Sequence, residues 1–79
     1  MENFGNRLRA IREKRGLSQR QLVKMIAKIG VIQDYKSDTI GKYERGERLP
    51  SCYKLHDICA ALNVSADYLL GLSDKEDLK

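Results

Sequence analysis

The stretch Leu17–Gly46 reads LSQRQLVKMIAKIG, then VIQDYK, then SDTIGKYERG, and its reading decides the fold. Ser18 followed three residues later by Gln21 is a capping box: the hydroxyl and the carboxamide each satisfy a backbone N–H that the start of a helix leaves open. Leu17 before the cap and Leu22 four residues into the helix form a hydrophobic staple that sets the entry angle. Leu22, Met25, Ile26 and Ile29 then recur at helical spacing and predict the buried face, with Gly30 as the stop. The connector VIQDYK is longer than the roughly three-to-four-residue turn of a tight helix pair. Val31, Ile32 and Tyr35 within it are apolar, which favours a packed turn over a loose linker. A second helix is expected from Lys36 or Ser37 to Arg45, with Ile40 and Tyr43 facing inward. Ser37, Asp38, Gly41, Lys42 and Arg45 are left facing out. So short a helix, carrying a glycine, would not persist alone and must be held by its neighbours. Gly46 ends it and Pro50 blocks continuation.

The rest of the chain reads as support for that pair. A helix is predicted over residues 3–15, with Asn3 as its cap and Phe4, Leu8 and Ile11 as one apolar stripe. Gly5 in its first turn is a liability of about 1 kcal/mol against alanine, and Gly16 can take the left-handed conformation that ends it. Ser51 caps a fourth helix whose Leu55, Ile58, Cys59 and Leu62 recur at i, i+3, i+4 and i+7. Ser65 caps a short fifth helix, Asp67 suits its positive end, Gly71 stops it, and Val64 with Leu69 offers a second staple. The segment SDKEDLK at 73–79 is charged and expected to fray. With no repeat and no strand pattern, the expectation is an all-α, compact bundle of about five helices. It forms one domain over 1–74 with a helix-pair core at 17–46 and a charged tail at 75–79.

Composition narrows the function. The 79 residues carry a formal charge of +4, distributed unevenly. Residues 1–48 hold 12 Lys/Arg against 6 Asp/Glu, whereas residues 49–79 hold 3 against 5. The basic half contains the helix pair, and a polyanionic partner fits that asymmetry. No apolar run approaches the roughly 18 residues of a membrane span, and MENFGNRLRA has no apolar signal core, so a cytoplasmic location is expected. Cys52 and Cys59 sit seven apart on one helix, about 10 Å along its axis. A disulfide needs Cα atoms within about 7 Å, so they cannot pair with each other. With His56 the only histidine, two thiols make a poor metal set, and the expectation is core-facing thiols, no metal and no cofactor.

The segments LSQRQL, TIGKYERG, LP and ALNVSADYLLGLSD resemble the Cro and phage-repressor helix-turn-helix family, the xenobiotic-response-element type of transcriptional regulator. The resemblance covers nearly all of residues 4–74. It implies a lambda-repressor-like DNA-binding domain that binds double-stranded DNA at an inverted-repeat operator, as a homodimer. Carried over by position, it implies that Ser37, Asp38 and Lys42 read base edges. Gln19, at the start of the second helix, would grip a phosphate, with Arg20 beside it. Arg45 and Arg48 fall near phosphate contacts. Arg12 and Glu44 match an ion pair tying the first helix to the third. Lys36 stands where the family caps the third helix with Ser or Thr. The longer connector would let Gln33 and Lys36 reach the DNA backbone, and Gly41 replaces what is commonly a longer residue.

The chemistry of these residues leaves some roles open. Lys42 can donate to guanine O6 or N7, or remain a solvated lysine. Ser37 can bond a base, a phosphate or its own helix end. Asp38 can accept from cytosine N4, be repelled by phosphate, or merely suit the helix dipole, and these readings stand level. Arg7, Arg9, Lys14, Arg15, Arg20, Lys24 and Lys28 are too many to assign one by one, and of these only Arg20 is carried as a phosphate contact. The function expected is a sequence-specific regulator of transcription, a repressor, inserting residues 37–45 into the major groove. Helix 5 and the Leu70–Leu72 region are the expected dimer surface. The rival is a protein-interaction module of antitoxin or anti-repressor type on the same fold, and a regulatory protein partner fits either. An enzyme is not expected, since there is no phosphate loop and no nucleophile–base pattern.

Overall fold

The computed structural model describes residues 3–29, 36 and 38–76. The connector 30–35, with Gln33, Val31, Ile32 and Tyr35, and also Ser37, lie outside the described residues. The described residues form α1 (Phe4–Lys14), α2 (Gln19–Ile29), α3 (Thr39–Glu44), α4 (Cys52–Leu62) and α5 (Ala66–Leu69), and none is in a strand.

Helices α1, α2, α4 and α5 each start on a side-chain cap. Asn3 accepts from the Asn6 N–H at 2.8 Å. Ser18 Oγ accepts from Gln21 N–H at 3.0 Å while Gln21 Oε1 accepts from Ser18 N–H at 2.7 Å, so the capping box is made in both directions. Ser51 and Ser65 cap α4 and α5 through the N–H groups of Lys54 and Tyr68.

The apolar stripes meet in one core. Leu8 and Ile11 of α1, Leu22 and Ile26 of α2, Ile40 of α3, and Ile58 and Leu62 of α4 are shut off from solvent together with Val64 and Leu69. Phe4 lies edge-on to Tyr43, with ring centroids 6.5 Å apart, a favourable arrangement for two ring quadrupoles. Helix α3 packs on α1 and α2, α4 packs on α2 and α5, and α1 on α5. The six-residue α3 is thus clamped from two sides, which supplies the stability its length cannot.

Several expectations need correction. Helix α3 starts at Thr39, not at Lys36 or Ser37. The reason is Thr39: its hydroxyl accepts from Lys36 N–H at 3.2 Å and its N–H donates to Lys36 O at 3.0 Å, closing a turn ahead of the helix. Ile29 is exposed, because the buried face of α2 turns away from its last residue. Gly41 does not face out; it is buried. Cys52 is exposed, and only Cys59 faces the core, where burial pushes its thiol up to about 11. Tyr53 on the same helix is exposed as well. Asp57 is wholly buried on α4, which no pattern in the sequence announced.

Gly5 is no liability. A Cβ there would sit 2.6 Å from Tyr43 O and closer still to Glu44 O, both backbone atoms that cannot swing aside. The bare backbone is what lets α1 rest on the end of α3.

The tail is also held further than its charge suggests. Ser65 N–H donates to Glu76 O at 2.7 Å, Ser65 Oγ donates to Lys75 O at 3.1 Å, and Lys14 Nζ meets Glu76 Oε1 at 2.8 Å. Arg7 lies 4.5 Å over the Tyr68 ring and donates to Tyr68 O and Ser73 O. Arg15 donates to Leu62 O. Arg7 and Arg15, unassigned from the sequence, therefore tie the first helix and its C-cap to the C-terminal half of the fold.

Candidate nucleic-acid interface

A polar network fixes α3 against α1 and α2. Arg12 and Glu44 are joined by two bonds, Nε to Oε2 at 2.5 Å and Nη2 to Oε1 at 3.1 Å. Their side chains are only 10% and 5% exposed, so the pair works in a medium where a lone charge would be costly. Arg12 Nη1 also donates to Leu17 O at 2.6 Å, tying the start of α2 into the same node. Hydrogen bonding to Glu44 raises the pKa of Arg12 against the opposing effect of burial. The expected ion pair is present and ties α1 to α3.

Gln19 joins this node. Its Nε2 donates to Glu44 Oε1 at 3.1 Å, which orients the carboxamide at the first turn of α2. Gly41 explains why it can lie there. A Cβ at Gly41 would stand 3.2 Å from Gln19 Oε1 and 3.0 Å from Arg45 Nη1, so the glycine leaves the space that these two side chains occupy across α3. Arg45 is exposed and its Nε donates to Glu47 Oε2 at 2.5 Å.

On the other flank of α3, Lys36, Asp38, Thr39, Lys42, Arg48 and Lys54 line a polar concavity of about 240 Å³ between α3 and the start of α4. It holds four cations around one carboxylate. Lys42 Nζ stands 3.4 Å from Asp38 Oδ2, one helical turn apart. The Lys42 hydrogen bond and charge, with a smaller contribution from Lys36, hold the Asp38 carboxyl below the usual carboxylate range. Asp38 is the N-cap residue of α3, but its side chain makes no cap hydrogen bond; its carboxylate faces Lys42 instead.

The residues expected to face DNA are therefore only partly brought together. Lys36, Asp38, Lys42 and Arg48 share one concavity, while Gln19 and Arg45 lie over Gly41. Arg20 is exposed but lines neither group. Ser37 and Gln33 fall outside the described residues. Sequence reasoning missed Lys54, Glu47 and Thr39. Lys54 had no signal, since only the packing of α4 on the rest of the bundle carries it to α3. Glu47 had a weak one, as a carboxylate two residues after an arginine.

Comparison with known proteins agrees with this fold. Residues 3–70 match the family model described as a helix-turn-helix domain. The chain is 38% identical over 68 residues to YazB of Bacillus subtilis (strain 168), named as an uncharacterized HTH-type transcriptional regulator. That match covers 86% of this chain and 88% of the relative. The fold is similar to the crystal structure of the P22 c2 repressor protein in complex with a synthetic operator, with a TM-score of 0.78 and 32% identity. The match covers 92% of this chain and all of the repressor chain. The chain belongs to the helix-turn-helix domain family, of the Cro and phage-repressor type.

Proposed function

We propose that this chain is a sequence-specific, duplex-DNA-binding regulator of transcription, acting as a repressor, with residues 37–45 placed in the major groove. The observation that carries the reading is the outer face of α3. Lys42 and Asp38 stand exposed on a helix whose inner face is fixed by Ile40, Tyr43 and the Arg12–Glu44 pair. A reading helix needs that combination, since a base contact misplaced by about an ångström loses its hydrogen bond. The operator held by the P22 c2 repressor supports the same partner for this fold.

In this reading Ser37, Asp38 and Lys42 read base edges, and Gln19, Arg20, Gln33, Lys36, Arg45 and Arg48 fix the register on phosphates. The protein binds and does not catalyse, and needs no cofactor. One six-residue helix contacts too few bases for useful discrimination, so the active species is a homodimer on an inverted repeat. Leu70 and Leu72 are exposed. Beside them, Ala66 of α5 borders an apolar groove of about 360 Å³ with Leu55, Cys59 and Ala60 of α4. These residues form the proposed dimer face.

The test is selection of random duplex DNA by the purified chain. Enrichment of an inverted repeat supports the reading, and its half-site spacing reports the dimer geometry. Salt-sensitive binding with no enriched sequence contradicts it. The exposed apolar residues also favour one second reading, a protein-interaction module of antitoxin or anti-repressor type. That reading gains if the chain retains no duplex at all.

A further inference from the structure

Resting on that reading of α3, we propose that Asp38 and Lys42 act as one unit that reads a single G·C base pair in the operator half-site. The two side chains are presented together. Lys42 Nζ and Asp38 Oδ2 are 3.4 Å apart, and the side chains are 38% and 59% exposed, so both polar tips are open to a partner. An ammonium only donates and an ionised carboxylate only accepts. The unit therefore offers a donor and an acceptor side by side with no freedom to exchange the roles.

The major-groove edge of one base pair offers a matching row. Across a G·C pair the groups run guanine N7 acceptor, guanine O6 acceptor, cytosine N4 donor. Lys42 over N7 and O6 places Asp38 over N4, and every group meets its complement. Across an A·T pair the row is adenine N7 acceptor, adenine N6 donor, thymine O4 acceptor. Lys42 can then sit on N7 or on O4 with Asp38 on N6, but in either placement the carboxylate stands beside the acceptor that Lys42 leaves uncovered. The rejection comes from Asp38 as much as the attraction comes from Lys42.

A carboxylate facing DNA is otherwise repelled by phosphate. Here the neighbours answer that objection. Lys36, Arg48 and Lys54 surround Asp38 together with Lys42 in the same concavity. They leave the surface positive while the carboxylate stays ionised, and they lie where phosphates flanking the read base pair can be held.

The experiment is selection of random duplex DNA by the full chain, the Asp38→Asn and Lys42→Met variants and the double variant, with melting temperatures alongside. Both positions are exposed, so all four proteins should melt together. The expected result is one G·C column per half-site in the wild-type motif, relaxed by about tenfold in either single variant and no further in the double. Asp38→Asn should admit A·T at that column, because an amide can both donate and accept. A wild-type motif in which the two variants alter different columns, or alter none, overturns the coupled reading and leaves the regulator standing. Absence of any wild-type motif removes both.

Discussion

The two faces of α3 hold charge in opposite ways. Inside, Arg12 and Glu44 are buried, doubly bonded and tied to Leu17 and Gln19. Outside, Lys42–Asp38 and Arg45–Glu47 are exposed pairs. The same chemistry, cation beside carboxylate, fixes a helix in one place and stays available to a partner in the other. Burial makes the difference. A buried pair cannot be broken without stranding a charge, whereas an exposed pair exchanges partners with water, salt or DNA at little cost.

The inner face is where the largest effects should fall. Glu44→Ala strands the Arg12 guanidinium and should cost about 3–5 kcal/mol of folding stability, read by chemical denaturation. Replacing both Arg12 and Glu44 with apolar residues should cost less than that single change. An equal or greater loss would break the contrast, because the inner pair would then be a net attraction rather than an orienting device.

Gly5→Ala comes next. The added carbon meets the carbonyl oxygens of Tyr43 and Glu44, and overpacking against backbone should cost about 1–3 kcal/mol. Gly41→Ala is the informative counterpart. Its new carbon meets side-chain ends, those of Arg45 and Gln19, rather than backbone, so stability should hold or rise by up to about 1 kcal/mol from helix propensity. Affinity for the selected operator should nevertheless fall, as both displaced groups are proposed phosphate contacts. A stable variant with unchanged affinity would remove Gln19 and Arg45 from the interface.

The smallest effect is electrostatic. Lys42 and Arg45 depress the carboxyls of Asp38 and Glu47 in the folded state. A group whose folded pKa lies below its unfolded value contributes stability above the ordinary carboxylate range and loses it as pH falls through the folded value. Carboxyl NMR titrations should therefore show Asp38 and Glu47 protonating later than free side chains as the solution is acidified. Lys42→Met should return Asp38 to the ordinary range. No movement of Asp38 in that variant would separate the two members of the outer pair.

What the sequence disclosed follows the same division between local and distant causes. The Ser18–Gln21 box, the Ser51 and Ser65 caps and the stripe Leu8–Ile11 depend on residues a turn apart, and periodicity reads them directly. Arg12–Glu44 spans α1 and α3, and no spacing rule reaches that far; the resemblance to a known family carried it. Gly5, Thr39, Lys54 and Asp57 were not legible. Each depends on which element lies opposite, and that is settled only when the helices pack. The start of α3 was misplaced because Ser37 looks like a cap by composition, while the turn is closed by the hydroxyl of Thr39.

The most direct test of the central claim compares dissociation constants for the selected operator and a random duplex. The comparison uses the wild-type chain and a Ser37→Ala/Asp38→Ala/Lys42→Ala variant. If the outer face of α3 reads bases, the variant keeps its melting temperature and its affinity for random duplex, and the wild-type preference for the operator collapses. A variant that keeps that preference would contradict the account, because the discrimination would then reside on another surface of the molecule.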